Sequence, residues 1–283
     1  MNISSFKKVI LILSLVLVIS VVLSGCNSDS KKETNSESKG SELKGTVNIV
    51  GSTSVSLLAE ELGKEFSKKN PEVKVNVQGV GSTAGIKATI DKTADIGISS
   101  RDLKDEEKKS GIKEHIIAYD GIIVAVHPEN KVEDLDMDTI SKIFTGEIKN
   151  WSEVGGSNEE ILVVSREEGS GTRGAFEEIL DFDSVREDAL IAEGNGAVKA
   201  NIASKKNSIG YLSLSYLDDT TKGLKIGGVE GIVEKIKSGD YKISRPFLML
   251  TNGEEDSLIK EFIDFVLSEE GQKIVGEKQI TVK

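Results

Sequence analysis

Two patterns of apolar and polar residues alternate along the chain from residue 45 to residue 283. Short apolar or alternating runs predict strands, and apolar residues spaced three and four apart predict helices between them. Strands alternating with helices indicate an α/β fold with largely parallel sheets. The predicted strands are 46–50, 73–77, 95–99, 161–164, 209–213 and 245–250, and the predicted helices are 55–66, 84–91, 138–144, 172–180, 197–203 and 258–267.

One long apolar run, residues 116–126, is interrupted by Asp120 and Gly121. An Asp-Gly pair is common in ordinary turns, so the residues alone leave two interpretations open. The pair is either a turn between two extended segments, or Asp120 has a role in binding a ligand.

The first 44 residues differ in composition from the rest of the chain. Lys7 and Lys8 precede an apolar run, 9–23, which is shorter than an ordinary membrane span, so residues 1–25 are predicted to be an export signal. The sequence Leu-Ser-Gly-Cys that ends at Cys26 resembles the lipobox of bacterial lipoproteins, which implies cleavage before Cys26 and lipidation of its sulfur. Residues 26–44 are almost all polar and are predicted to be a flexible tether. The alternative is an uncleaved anchor helix with an incidental cysteine.

The formal net charge is -11, and removal of Lys7 and Lys8 with the signal makes the remaining chain two charges more negative. An acidic surface argues against nucleic acid as a partner. It also repels anions, so any anion site has to be local and built from oriented donors.

Glycines and hydroxyl residues recur where a predicted strand passes into a predicted helix. The most informative case is the run 166–173, Arg-Glu-Glu-Gly-Ser-Gly-Thr-Arg, and the runs 51–54, Gly-Ser-Thr-Ser, and 81–85, Gly-Ser-Thr-Ala-Gly, repeat the pattern. The first N–H groups of a helix have no acceptor inside it, and the helix dipole favours negative charge there. Each run taken singly is more often only a helix cap. Three of them predict one anion held from several sides, with Arg166 adding a planar fork of donors.

The order and spacing of these motifs resemble the phosphate-binding proteins of high-affinity phosphate ABC transporters, over essentially the whole chain from residue 45. The resemblance rests on runs 51–54, 81–85 and 94–101, on Tyr119 to Ile122, on 143–146 with Asn150 and Trp151, on 166–172, on Gly210 and Tyr211, and on Arg245 and Pro246.

This resemblance implies a two-lobed fold of the periplasmic-binding-protein type, with two crossover strands and a ligand cleft. Lobe I is expected at 45–119 plus 245–283, and lobe II at 120–244. The implied function is to capture inorganic phosphate outside the cell and deliver it to an ABC permease with its ATPase. The implied protein is a monomer without cofactor or catalytic activity, lipid-anchored on the outer face of the cell membrane of a Gram-positive type of bacterium.

Phosphate at neutral pH carries one or two protons, whereas sulfate carries none, so a selective site needs donors for bare oxygens and an acceptor for the P–OH. The expected ligand residues are Thr53, Ser54, Ser82, Thr83, Ser100, Arg101, Asp120, Arg166, Ser170, Gly171 and Thr172.

The acceptor is where this chain departs from the family pattern. Ser100 stands where enterobacterial-type members have an aspartate, so Asp120 is the predicted substitute and Ser100 a donor. Arg101 is predicted either to contact the anion or to brace Asp120. Glu168 replaces an aspartate that often pairs with the arginine, and it is predicted to orient Arg166.

Two other classes of function stay open at this stage. A secreted phosphohydrolase is disfavoured because no candidate nucleophile has a histidine or metal-ligand cluster near it, and Gly169-Ser170-Gly171 is not a G-x-S-x-G elbow. His115 and His127 are far apart in the pattern and are expected to lack the carboxylate company of a metal site, so none is predicted. A binding protein for another oxyanion, such as sulfate or molybdate, or a surface protein with a sensing or adhesive role, is the remaining alternative.

Overall fold

The computed structural model describes residues 43–253 and 255–283. The predicted signal, Cys26 and the tether up to residue 42 lie outside the described residues. Among those described, none of the helices is both long and apolar enough to span a bilayer.

Eleven strands and nine α-helices follow one another in the described chain. The strands are β1 (Gly45–Gly51), β2 (Val73–Gly79), β3 (Ile96–Ser99), β4 (Lys113–Val126), β5 (Asp134–Leu135), β6 (Leu162–Arg166), β7 (Leu190–Ala192), β8 (Ser208–Ser213), β9 (Lys222–Gly223), β10 (Lys225–Ile226) and β11 (Ser244–Thr251). The helices are α1 (Thr53–Lys69), α2 (Ser82–Ile90), α3 (Asp105–Lys108), α4 (Met137–Thr145), α5 (Gly171–Ile179), α6 (Gly194–Ser204), α7 (Val233–Lys237), α8 (Ser257–Val266) and α9 (Glu269–Val275). The predicted α/β class is confirmed.

The main sheet has the strand order β2-β1-β3-β11-β4-β8-β6-β7, with β9 also paired to β4. The outer pairs β1–β2, β1–β3, β6–β7 and β6–β8 are parallel. The two central strands are antiparallel to their neighbours. The expectation of largely parallel sheets is therefore correct for the two ends and wrong for the middle.

Strand β4 runs without a break through Asp120 and Gly121. Its residues up to Gly121 pair with β11, and its residues from Ile122 pair with β8. A turn at this pair is therefore excluded. Gly121 fits because a Cβ there would lie 2.4 Å from Ile236.

The core consists of two large clusters of buried apolar residues. One contains Phe66 and Phe262, whose ring centroids are 5.2 Å apart, with residues between 47 and 118 and between 247 and 275. The other contains Phe176 stacked on Tyr211 at 4.1 Å, with residues between 122 and 243 and Ile280. Trp151 is buried in this second cluster. Replacing such an aromatic residue by alanine typically costs about 3–5 kcal/mol.

Candidate functional site

The first helix start forms because β1 ends in a conformation that only glycine adopts easily. Gly51 has φ 145°, and a Cβ there would lie 2.2 Å from the carbonyl oxygen of Ile98. Ser52 then caps α1, and its Oγ accepts from the Ser54 N–H at 3.2 Å. The same hydroxyl donates to Ser100 Oγ at 2.8 Å. The first turn of α1 is thus joined to the residue that follows β3.

The second helix start brings Ser82 to the same place. Ser82 Oγ accepts from the Ser100 N–H at 3.1 Å, and both residues are fully buried. The capping residue of α2 is Gly81, with no side-chain cap, and the helix begins at Ser82, two residues before the predicted start. Thr83 is exposed, and its N–H donates to the carbonyl of Gly169 at 3.1 Å.

The third helix start packs directly on these serines. A Cβ on Gly171 would lie 2.2 Å from Ser82 Oγ and 2.8 Å from Ser100 Oγ, so only glycine allows this approach. Ser170 caps α5 by accepting from the Arg173 N–H at 3.3 Å. The N–H groups of Gly171 and Thr172 are among those with no acceptor inside the helix.

Ser54 is the centre of the hydrogen-bond network. Its Oγ lies 2.8 Å from Thr172 Oγ1, and it is reached by Asn195 Nδ2 at 2.9 Å and by Arg245 Nη2 at 3.1 Å. Ser54, Thr172 and Asn195 are each no more than 1% exposed. Four segments that are far apart in the chain therefore meet at one buried hydroxyl.

Arg166 ends β6 beside this centre and is 1% exposed. Its Nη1 donates to Thr172 Oγ1 at 3.4 Å and its Nη2 to Thr53 Oγ1 at 3.2 Å. Its Nε and Nη2 also form a two-point pair with Glu167, at 2.8 and 2.7 Å. Burial opposes the charge of Glu167, but the hydrogen bonds and charge of Arg166 outweigh it and hold the pKa of Glu167 below its usual value.

The prediction that Glu168 orients Arg166 is wrong. Glu168 is exposed, and the neighbouring Glu167 has this role. Glu167 also accepts from the N–H of Gly194 at the start of α6, so it ties Arg166 to a fourth helix start.

Asp120 is completely buried in the middle of β4. Its Oδ1 accepts from Ser213 Oγ at 2.9 Å, and its Oδ2 accepts from Arg245 Nη2 at 3.0 Å. Arg245 lies directly opposite on β11. Burial raises the pKa of Asp120 to about 6, although Arg245 and Ser213 act in the other direction.

Arg101 does not brace Asp120, since Arg245 does so. Its two terminal nitrogens pair with Glu107 of α3, both at 2.8 Å, and Nη2 also reaches Thr83 Oγ1 at 3.3 Å. Arg101 therefore lies at the edge of the cluster beside Thr83.

The structure brings together most of the predicted site residues and adds four that the prediction left out: Ser52, Asn195, Ser213 and Arg245. Gly194-Asn195-Gly196 follows a strand and opens a helix, which is the same signal that marked the other three starts. Arg245 is part of a motif that carried the resemblance but was not included among the site residues. Ser213 had no signal in the sequence.

No group of three or more His, Cys, Asp and Glu side chains that could hold a metal occurs within 43–253 and 255–283. The description of His115 as lacking carboxylate company is wrong, because its Nε2 lies 3.0 Å from Glu255 Oε1. This pair is not among the contacts of the serine and arginine cluster.

Comparison with known proteins identifies the family to which this architecture belongs. A model of the PBP superfamily domain matches residues 36–270. A phosphate-binding protein PstS from Borreliella burgdorferi is 34% identical over 285 residues, which cover 96% of this chain and 97% of that protein. The chain belongs to the PstS family. A PstS from Bacillus subtilis is 33% identical over 96% of this chain and 92% of its own length.

Two solved structures of similar proteins extend this result to the PstS fold. A structure from Clostridium perfringens, described as a candidate phosphate ABC transporter substrate-binding protein with bound phosphate, is 45% identical with a TM-score of 0.83. It is matched over 84% of this chain and all of its own. An ABC-type phosphate transport receptor from Vibrio cholerae is 33% identical, with a TM-score of 0.72, over 84% of this chain and all of its own. The predicted periplasmic-binding-protein fold is confirmed.

Proposed function

We propose that this chain is an extracytoplasmic solute-binding protein that captures inorganic phosphate and delivers it to an ABC permease with its ATPase. The observation that carries the proposal is the meeting of three hydroxyl-rich helix starts with Arg166. Thr172 lies against Ser54, Arg166 reaches Thr172 and Thr53, and Ser82 packs against Gly171. Helix N-termini and a guanidinium fork are the groups that suit a tetrahedral oxyanion. Phosphate binding is also what the names of its PstS relatives state for those proteins.

In the proposed site, donors for the bare phosphate oxygens come from both sides of the cluster. Arg166 and the Thr53 hydroxyl supply side-chain donors, and the first turns of the helices supply N–H groups. The remaining proposed donors are Ser54, Ser82, Thr83, Ser100, Arg101, Ser170, Gly171 and Thr172.

Asp120 is the proposed acceptor for the P–OH. A carboxylate has about four lone-pair positions, so Asp120 has room for a further bond beside those from Ser213 and Arg245. The bare oxygens of sulfate would face this carboxylate without a proton to donate. The site therefore favours phosphate over sulfate or molybdate, which are the alternative ligands.

The proposed lobes are 45–119 with 245–283, and 120–244, and the two separate core clusters support this division. Strands β4 and β11 would then be the crossovers. Hydrogen bonds between the proposed lobes, such as Tyr216 Oη to the Thr53 carbonyl at 3.0 Å, support a cleft that closes over its ligand.

We also propose that residues 1–25 are removed, that Cys26 carries the lipid, and that residues 26–44 tether a monomer to the outer face of the membrane of a Gram-positive type of bacterium. This part rests on the sequence pattern and on the transport proteins among the relatives. A second candidate function, phosphohydrolysis, has little support because no histidine takes part in the hydrogen bonds described at the site.

Calorimetry tests the proposed function directly. Purified residues 27–283 would be titrated with phosphate, sulfate and molybdate at one pH. We expect saturable one-to-one binding of phosphate and much weaker binding of the other two. Absence of phosphate binding, or an equal response to sulfate, would contradict the proposal.

A further inference from the structure

We propose that Arg245 is a second ligand guanidinium, which donates directly to the bound phosphate through side-chain nitrogens that have no hydrogen-bond partner in the described part of the chain. This inference rests on the proposed function, because it names a further binding residue of the same site. Arg245 is 3% exposed and reaches the Ser54 hydroxyl with Nη2 at 3.1 Å. It therefore lies against the centre of the cluster that holds the other proposed donors.

The first argument comes from unpaired donors. Within residues 43–253 and 255–283, Nε and Nη1 of Arg245 are buried and have no hydrogen-bond partner. These two nitrogens carry three N–H bonds, and a buried donor without an acceptor is costly. An anion oxygen beside Nε or Nη1 would provide an acceptor for at least one of these donors.

The second argument comes from comparison with the other arginines of the cluster. Arg166 forms a two-point pair with Glu167, and Arg101 forms one with Glu107. Arg245 meets Asp120 through Nη2 alone, and the same nitrogen also serves Ser54. Neither edge of the Arg245 guanidinium therefore carries a two-point pair, and in the described chain the Nε–H on one edge and the Nη1 N–H groups on the other are left without an acceptor.

A purely structural role explains less. In that interpretation Arg245 only balances the charge of Asp120 and lies over the Phe247 ring, with its guanidinium carbon 5.5 Å from the ring centroid. A ring face attracts the cation but leaves in-plane N–H groups unpaired. A brace for Asp120 also needs only the one bond that is present. Neither contact accounts for the three remaining N–H bonds.

Arg245→Lys separates the two interpretations. Lysine keeps the positive charge and can still pair with Asp120, but it lacks the fork. If Arg245 donates to phosphate through these N–H bonds, Arg245→Lys should lower phosphate affinity roughly 10- to 150-fold, the strength of one charge-assisted hydrogen bond. A structural brace predicts affinity within a few-fold of the wild type.

Arg186→Lys is the matched control. The side chain of Arg186 is also largely buried, at 7% exposed, and it pairs with Asp188. In the described chain its Nη1 has no partner and it makes no contact with the cluster. Its replacement should leave phosphate affinity unchanged. Thermal melts without ligand would establish that both variants are folded.

A second measurement works on the unmodified protein and does not depend on how well a variant folds. The arginine Nε–H signals of isotope-labelled protein would be recorded by NMR without and with inorganic phosphate, and the Arg245 signal assigned through its bonds to the side chain and backbone of Arg245. Donation to phosphate predicts a shift of this signal and slower exchange of its proton with water.

The outcomes distinguish this inference from the function on which it rests. If wild-type protein binds phosphate while Arg245→Lys binds equally well, or the Arg245 signal does not respond, the inference is overturned and the proposed function stands. If wild-type protein takes no phosphate, both are overturned. Loss of affinity in Arg245→Lys alone, with a phosphate-dependent Arg245 signal, supports the inference.

Discussion

Replacement of Asp120 by asparagine tests the chemistry proposed for discrimination between phosphate and sulfate. The two side chains have nearly the same shape, so the change alters charge and hydrogen bonding at a completely buried position. The asparagine carbonyl can accept from Arg245, and its NH₂ can donate to Ser213 Oγ, since a hydroxyl both donates and accepts. We therefore expect the variant to fold, with a stability loss of about 1–3 kcal/mol from the weakened pairing of Arg245.

The size of the effect on binding follows from what each ligand meets at this position. Phosphate keeps an acceptor in the asparagine carbonyl but loses a charge-assisted bond of about 1.5–3 kcal/mol, which corresponds to roughly 10- to 150-fold in affinity. The affinity for sulfate should rise, because the carboxylate that repels sulfate is gone and the asparagine NH₂ can turn toward a bare oxygen. Sites that reject a ligand by leaving buried polar groups unpaired reach factors of about 10⁴–10⁵. Selectivity should therefore fall by more than phosphate affinity does.

The assay is competition of sulfate against phosphate at fixed pH, on the wild type and on Asp120→Asn. Asp188→Asn is the control, since Asp188 also pairs with an arginine, Arg186, but has no contact with the cluster. A folded Asp120→Asn variant that still discriminates as the wild type does would refute the assignment of Asp120 as acceptor. The search would then turn to other carboxylates near the cluster.

Four further predictions test other parts of the proposal. Arg166→Ala should lower phosphate affinity at least roughly 100-fold by calorimetry, because it removes at least two charge-assisted donors, while a melt shows the fold intact; near-normal affinity would remove Arg166 from the site. Without ligand, the pKa of Asp120 is raised from its ordinary value of 3.8 to about 6, so the folded state keeps this proton to a higher pH than the unfolded chain does. The contribution of Asp120 to the free energy of unfolding is therefore fully present below about pH 4, and about 3 kcal/mol of it is lost as the pH rises through 6. Denaturant unfolding of wild type and Asp120→Asn at several pH values should show that difference, and parallel curves would contradict it. Small-angle scattering should give a smaller radius with phosphate than without, as a closing cleft requires, whereas identical profiles would indicate a rigid site. Cys26→Ser should move the protein from the membrane fraction to the soluble fraction without changing phosphate affinity, and a variant that stays with the membrane would point to another attachment.

The sequence was most informative where local chemistry and local structure coincide. The three helix starts were predicted from glycine and hydroxyl residues after apolar runs, and all three form as α1, α2 and α5. Their convergence was also predictable, because each offers the same unsatisfied N–H groups to one kind of ligand. Gly171 shows why these helix starts need glycine, because a side chain at this position would collide with Ser82 and Ser100.

The pairing of charges was much less predictable. Glu167 and Glu168 are adjacent in the sequence, and only the direction of the backbone at the end of β6 decides which of them reaches Arg166. Arg245 and Asp120 are 125 residues apart and meet because two central strands run antiparallel in one register. The sequence pattern does not predict the antiparallel centre of the sheet either. Alternating strands and helices describe neighbours along the chain, whereas β4 and β11 pair segments that are distant in sequence.

These pairs also explain how an acidic protein can offer a site to an anion. The chain carries a formal charge of -11, so its overall field does not attract phosphate. At the cluster itself, Arg166, Arg101 and Arg245 each have a carboxylate partner, in Glu167, Glu107 and Asp120. Binding must then depend on fixed N–H and O–H donors at short range, which act in a buried setting where salt screens them little. This is why the geometry of Ser54, Thr172 and the Arg245 N–H groups left unpaired in the described chain matters more to the proposed function than the number of positive charges near them.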